Sequence, residues 1–211
     1  MSNDPILPPK SFYLLRHGQS EANVRNAVAG GNLDSPLTDL GIQQARDLAN
    51  TIHHLAVKPS RIYHSSLSRA ADTAHIVNES LNLDMIEMDN LREHVFGDWE
   101  NTHWPTIKER VDQGMEPPNG ETYLEFTLRI KTALHEIMAT DHPTPPLLVA
   151  HGGVFHAIAR LYGQKFGEVG NCVLHYFEPT PLDEPFPWAI TRFKPCSQHG
   201  LAQDIFTPPH S

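Results

Sequence analysis

Cysteine is scarce in this chain: only Cys172 and Cys196 occur among 211 residues. Two thiols do not make a disulfide framework, and a reducing, cytoplasmic setting is expected. Basic charge is scarce as well. Sixteen Lys and Arg face twenty-five Asp and Glu, a formal net charge of −9. A nucleic-acid binder needs a basic face, so no nucleic-acid partner is expected. A small phosphorylated molecule is still admissible, because a few local arginines outweigh a distant negative surface. No apolar run approaches the ~20 residues that span a bilayer. The first ten residues, MSNDPILPPK, lack the basic and apolar regions of a signal peptide. No membrane partner is therefore expected. Metal-binding spacings are missing too. Fourteen histidines are present, yet neither His-Glu-x-x-His nor Cys-x-x-Cys occurs, and no metal is expected. No repeat or long low-complexity tract interrupts the chain.

What is present is an alternation of strand-like and helix-like segments. Residues 11–15 (SFYLL) read as a buried strand that breaks at Arg16-His17-Gly18. Thr38 follows as an N-cap, with Leu37 and Ile42 placed as a hydrophobic staple. Ala45, Leu48, Ala49, Ile52 and Leu55 then recur at helical spacing, and the helix should stop before Pro59. Residues 61–64 form a second strand, and Leu67, Ala70, Ala71, Ala74, Val77 and Leu81 a second helical stripe. Residues 83–88 are a third strand. Residues 99–120, polar and rich in Pro and Gly, read as an excursion over the surface. Thr122 and Glu125 suit a capping box and open a helix through Phe126, Ile130, Ala133, Leu134 and Ile137. Residues 147–150 make a fourth strand ending at His151-Gly152-Gly153, and residues 154–162 a helix. Strands at 172–177 and 188–193 follow, and residues 194–211 read as a loose tail. This pattern predicts a single domain over residues 1–211, with its core at about 11–193. It is a three-layer α/β/α sandwich around a mostly parallel sheet.

In such sheets, ligands bind outside the carboxyl ends of the strands. Arg16 and His17 follow the first strand. Ser65, Ser66 and Arg69 follow the second, Arg92 and Glu93 the third, and His151 the fourth. Two imidazoles, several guanidiniums and a carboxylate therefore gather along one edge. Arginine forks match phosphate oxygens. A neutral imidazole can act as nucleophile. A carboxyl group can protonate a leaving oxygen and later deprotonate water. Glycines at Gly18, Gly152 and Gly153 would let backbone approach a ligand.

The motifs Arg16-His17-Gly18-Gln19-Ser20-Glu21-Ala22-Asn23, Pro36-Leu37-Thr38 with Gly41, and Ser65-Ser66-Leu67 with Arg69-Ala70 carry a resemblance. So do Leu91-Arg92-Glu93 with Phe96-Gly97, and Ala150-His151-Gly152-Gly153. In this order, the sequence resembles the histidine phosphatase superfamily, which includes the phosphoglycerate mutases. The resemblance implies a phosphoglycerate mutase-like fold and a phosphohistidine on His17. It implies a clamp of Arg16, Arg69 and His151, contact from Asn23, and Glu93 as general acid and base. It implies no metal or organic cofactor and a small phosphorylated metabolite as partner. The Gly-Gly pair after His151 is similar to the family's phosphatases, where the mutases typically carry Gly-Asn. A mutase, or a catalytically silent domain that binds phospholigands or proteins, stands as the alternative.

Around this set, Arg25 is a candidate for substrate contact, and Trp99 and Trp104 either line a pocket or cap the core. Lys108 and Arg110 read as a solvated face, and the scattered histidines 53, 54, 64, 75, 135 and 142 as solvated or partly buried.

Overall fold

The computed structural model describes residues 6–181, 184–196 and 200–206. Seven strands form one sheet in the order β3-β2-β4-β1-β5-β6-β7. They are β1 (Phe12–Arg16), β2 (Ile62–His64), β3 (Met85–Glu87), β4 (Leu147–Ala150), β5 (Leu174–Pro179), β6 (Trp188–Cys196) and β7 (Gly200–Phe206). The first four are mutually parallel, and β5, β6 and β7 extend the sheet by antiparallel pairing. Strands β1 and β4 are apolar on both faces because both faces are covered, as parallel sheets require.

The α-helices among the described residues are α1 (Glu21–Val24), α2 (Asp39–Thr51), α3 (Ser68–Asn78), α4 (Trp104–Asp112), α5 (Tyr123–Ala139) and α6 (Gly152–Leu161). Thr38 caps α2, accepting from the Gly41 N–H at 3.1 Å, and Thr122 and Glu125 close a capping box on α5. Two cores flank the sheet. On one face Phe12, Leu14, Leu148 and Ala150 meet Phe126, Ile130 and Leu134 of α5 and Phe155 and Ile158 of α6. On the other, Tyr13, Leu15, Leu147 and Val149 meet Leu48 of α2 and Ala74 and Val77 of α3. This is the three-layer arrangement that the alternation predicts.

The placement of the site follows from connectivity. Strands β1 and β4 are neighbours, but the chain leaves β1 toward α2 on one face and leaves β4 into α6 on the other. The loops after these strands part and open a crevice at their carboxyl ends, the switch point of a doubly wound sheet.

Two expectations need correction. Residues 194–211 are not simply a tail: β6 runs on to Cys196, and β7 pairs with it from Cys196↔Gly200 to Ile190↔Phe206. The segment 200–206 lacks a clean apolar alternation because it is an edge strand, anchored mainly by Phe206 stacked on Phe166 at 4.6 Å. Residues 207–211 lie outside the described residues. The excursion at 99–120 contains α4, whose only fully buried residue is Ile107; with Val28 and Trp99 it makes a separate small core.

Candidate active site

A cavity of about 670 Å³ opens at the crevice, within the range of small-molecule sites. Arg16, His17, Asn23, Arg69, Glu93 and Gly152 all line it. His151 stands immediately behind, fully buried, with its ring 5.2 Å from that of His17.

His17 follows β1, and its amide is tied to the Ala150 carbonyl at 3.0 Å, locking the ends of β1 and β4 together. Its Nδ1 lies 2.6 Å from the Gly18 carbonyl, which can only accept. Nδ1 therefore carries the proton, and Nε2 keeps its lone pair. Burial, reinforced by the Arg69 and Arg16 guanidiniums, pushes the pKa of His17 well below the usual histidine value. His17 is thus a neutral imidazole with one nucleophilic nitrogen.

Burial, reinforced by the Arg69 and Arg16 guanidiniums, pushes the pKa of His151 well below the usual histidine value. His151 Nε2 lies 2.8 Å from the Ser65 hydroxyl oxygen, which also accepts from the Leu67 N–H at 3.3 Å. The buried Nδ1 of His151 has no protein partner among the described residues.

The two arginines are braced rather than loose. Arg16 donates to the Val169 carbonyl at 2.5 Å; Arg69, buried on α3, donates to Gly30 at 2.8 Å and Leu33 at 3.3 Å. The buried Nε–H of each has no protein acceptor among the described residues. A buried guanidinium donor left unpaired is costly, and a phosphoryl oxygen is the natural acceptor for both. Asn23 spends its side-chain oxygen on the Ser20 amide at 3.0 Å and on Asn171 at 3.3 Å, which leaves its NH₂ as a donor.

Glu93 reaches the cavity from the loop after β3. Its Oε1 accepts from the His94 amide at 2.9 Å and its Oε2 from the Gly153 amide, at the start of α6, at 3.1 Å. A Cβ on Gly153 would stand 2.0 Å from Oε1, so a side chain there would shift the end of Glu93. Gly18 serves a different contact from the one its motif suggests. A Cβ there would meet the Gly41 carbonyl at 2.5 Å, so the two glycines let the nucleophile loop rest on α2.

Two expected participants sit elsewhere. Arg25 does not line the cavity; it is half-exposed and pairs with Glu21 at 3.6 Å, one helical turn away. Arg92 turns back to the Gly31 carbonyl and to Asp89. Trp104 lines the cavity, whereas Trp99 is buried in the small core. Lys108 is exposed and pairs with Asp112, which lines the cavity.

Several lining residues were not anticipated. His156 and Arg160 share a face of α6 with Gly153, and Tyr123 and Phe126 project from α5. Arg160 stacks on Tyr123 at 4.9 Å. The i, i+3, i+7 spacing downstream of His151 was the available signal. Asn171, which donates to the His17 carbonyl at 2.8 Å, sits on a loop with no pattern to flag it. Among the described residues no cluster of three or more His, Cys, Asp or Glu is arranged to hold a metal. No helix among them is long and apolar enough to cross a membrane.

Comparison with known proteins places the chain in a family. The family model for the histidine phosphatase superfamily (branch 1) matches residues 12–180. Adenosylcobalamin/alpha-ribazole phosphatase of Salmonella typhimurium is 34% identical over 161 residues, 71% of this chain and 78% of that protein. A protein named "Probable phosphoglycerate mutase GpmB" in Proteus mirabilis is 31% identical over 66% of this chain and 68% of its own. Among solved structures, mycobacterial glucosyl-3-phosphoglycerate phosphatase superposes with a TM-score of 0.70 at 26% identity, covering 86% of this chain and 96% of that one. With the family model matched over residues 12–180, the chain belongs to the histidine phosphatase superfamily, branch 1.

Proposed function

We propose that this protein is a phosphomonoesterase that passes the phosphoryl group of a small phosphorylated metabolite first to His17 Nε2 and then to water. The observation that carries this reading is the state of His17: neutral, with Nδ1 tied to Gly18 and Nε2 free, beside two braced arginines with unspent Nε donors. Nε2 attacks phosphorus and the P–O ester bond breaks. Glu93 gives its proton to the departing alcohol oxygen. The carboxylate then takes a proton from water as that water attacks phosphorus and the N–P bond breaks. Arg16 and Arg69 hold the phosphoryl oxygens throughout, and His151 adds a neutral N–H donor beside them. Phe96, Trp104, Tyr123 and Phe126 line the part of the cavity left for the alcohol.

Return of the phosphoryl group to an alcohol, as in a mutase, is the second reading, prompted by the relative that bears that name. The Gly152-Gly153 pair after His151, similar to that of the family's phosphatases, weighs against it. A panel of phosphorylated metabolites separates the two. Release of inorganic phosphate from one or more supports the phosphatase; isomerisation of a phosphorylated hydroxy acid without phosphate release supports the mutase.

Two further results are expected. Activity survives exhaustive treatment with EDTA, since the charge on the phosphoryl group is met by arginine. Loss in EDTA that a divalent cation restores would refute this. Arg69→Lys lowers kcat/KM by on the order of 10²-fold, because lysine keeps the charge but loses the planar fork. Near-wild-type kcat/KM would remove Arg69 from the phosphate clamp.

A further inference from the structure

The segment that carries Glu93 belongs to neither helix nor strand: residues 93–96 have no regular structure. Its backbone groups therefore need partners from elsewhere, and one side chain, that of Arg129, holds the carbonyls on which it begins. Arg129, on α5, has five N–H donors. Nε donates to Glu121 Oε1 at 2.7 Å, and Nη2 to Glu121 Oε2 at 2.6 Å and the Glu93 carbonyl at 3.1 Å. Nη1 donates to the carbonyls of Asn90 at 3.0 Å and Arg92 at 2.9 Å. All five donors are used, three of them on the carbonyls of Asn90, Arg92 and Glu93.

Glu121 completes the grip. Its Oε2 also accepts from the Val95 amide at 3.0 Å, and its backbone carbonyl accepts from His94 Nε2 at 2.7 Å. The His94 ring lies flat on Phe126 at 4.8 Å. From residue 90 to residue 95 the chain is pinned by α5 and by Glu121 just ahead of it. The carboxylate of Glu93 is pinned separately by the Gly153 amide of α6. Helices α5 and α6 pack against each other. The two ends of Glu93 are thus referenced to one rigid pair of helices.

We propose that Arg129, paired with Glu121, is a positioning residue that sets the Glu93 carboxylate at proton-transfer distance from the leaving oxygen. Neither Arg129 nor Glu121 lines the cavity, so the pair acts through Glu93 rather than on substrate. The inference rests on the reading of Glu93 as proton donor.

The test uses Arg129→Lys, Glu93→Gln and the double variant on two substrates: an alkyl phosphate and p-nitrophenyl phosphate. The alkyl ester has a poor leaving group and needs the proton; the aryl ester barely does. Lysine at 129 keeps the charge but cannot span three carbonyls and a carboxylate. A displacement of ~1 Å costs on the order of 10²-fold, so Arg129→Lys should lower kcat/KM for the alkyl phosphate by that order. For the aryl phosphate the expected loss is under about threefold, since little proton transfer is at stake. In the Glu93→Gln background, Arg129→Lys should cost the alkyl reaction little more, because residues acting as one unit are not additive.

Equal losses on the two substrates, or losses that multiply fully in the double variant, would reduce Arg129 to a stabilising ion pair. Failure of Glu93→Gln itself to discriminate the substrates would instead sink the reading of Glu93. If thermal melting shows Arg129→Lys too unstable to assay, Glu121→Gln decides. It must show the same selective loss, and an unselective loss overturns the proposal.

Discussion

The His17→Ala protein is expected to bind substrate and turn over none of it, with kcat reduced on the order of 10⁵–10⁶-fold, as when a covalent nucleophile is deleted from a preorganised site. The argument is one of charge. In the resting site a neutral ring is favoured, because burial and two guanidiniums oppose its protonation. Attack changes this: as the N–P bond forms, positive charge spreads over the imidazole to Nδ1–H. The Gly18 carbonyl, already 2.6 Å from Nδ1, stabilises that charge without moving. Meanwhile Arg16 and Arg69 face the phosphoryl oxygens. The same guanidiniums that disfavour a bare imidazolium favour a phosphorylated one, because they neutralise the group it carries. Water cannot replace His17 at the same position, since it brings neither the fixed geometry nor the charge partner. Brief mixing with radiolabelled substrate, followed by denaturation, should trap an acid-labile, base-stable label on the wild-type protein and none on His17→Ala. Wild-type labelling of His17→Ala would place the nucleophile elsewhere.

Much of this site was legible because its chemistry sits at strand ends. Apolar runs at 11–15 and 147–150 marked β1 and β4, and the strand-end rule then brought Arg16, His17 and His151 together without reference to distance. Arg69 was legible for a related reason: it falls in the first turn of α3 just after β2. What was hidden depends on contacts that have no period. Gly18 looks like a ligand-facing glycine in its motif, yet the atom it makes room for is the carbonyl of Gly41, on α2. Gly153 was read as backbone access for a ligand and proves to be clearance for Glu93. Arg25 was grouped with the site by sequence proximity and Arg92 by the strand-end rule. Neither guanidinium faces the cavity: Arg25 pairs with Glu21, and Arg92 turns to Asp89 and the Gly31 carbonyl. Helix α4 escaped notice because its apolar stripe is only three residues long, Trp104, Ile107 and Val111, inside a polar stretch rich in Pro and Gly. Strand β7 escaped notice because an edge strand need not alternate.

The Glu93→Gln protein should separate substrates by the quality of their leaving groups. Glutamine preserves the shape of the side chain, and its carbonyl oxygen can still accept from the Gly153 amide, now 3.1 Å from Oε2. The arginine clamp and the His17 nucleophile are left in place, so phosphoryl binding should change little. What is lost is a transferable proton. An alkoxide leaving from a sugar or hydroxy-acid phosphate is strongly basic and requires that proton as the P–O bond breaks. A nitrophenolate is weakly basic and departs without it. General acid help is worth ~10²–10⁴-fold, so kcat/KM for an alkyl phosphate should fall by that order and for p-nitrophenyl phosphate by far less. The parameter matters, because kcat/KM reports only steps through the first irreversible one, here the transfer to His17. Turnover of the aryl ester should behave differently. The second half of the reaction needs a base to take a proton from water, and Glu93 is the carboxylate in reach. Phosphoenzyme should therefore accumulate when Glu93→Gln is given the aryl substrate, with a burst of nitrophenolate followed by a slow steady state. A burst together with a preserved aryl kcat/KM would assign both proton transfers to one carboxylate. Equal losses on the two esters and no burst would strip Glu93 of that role, leaving His94 and His151 as the nearest groups able to move a proton.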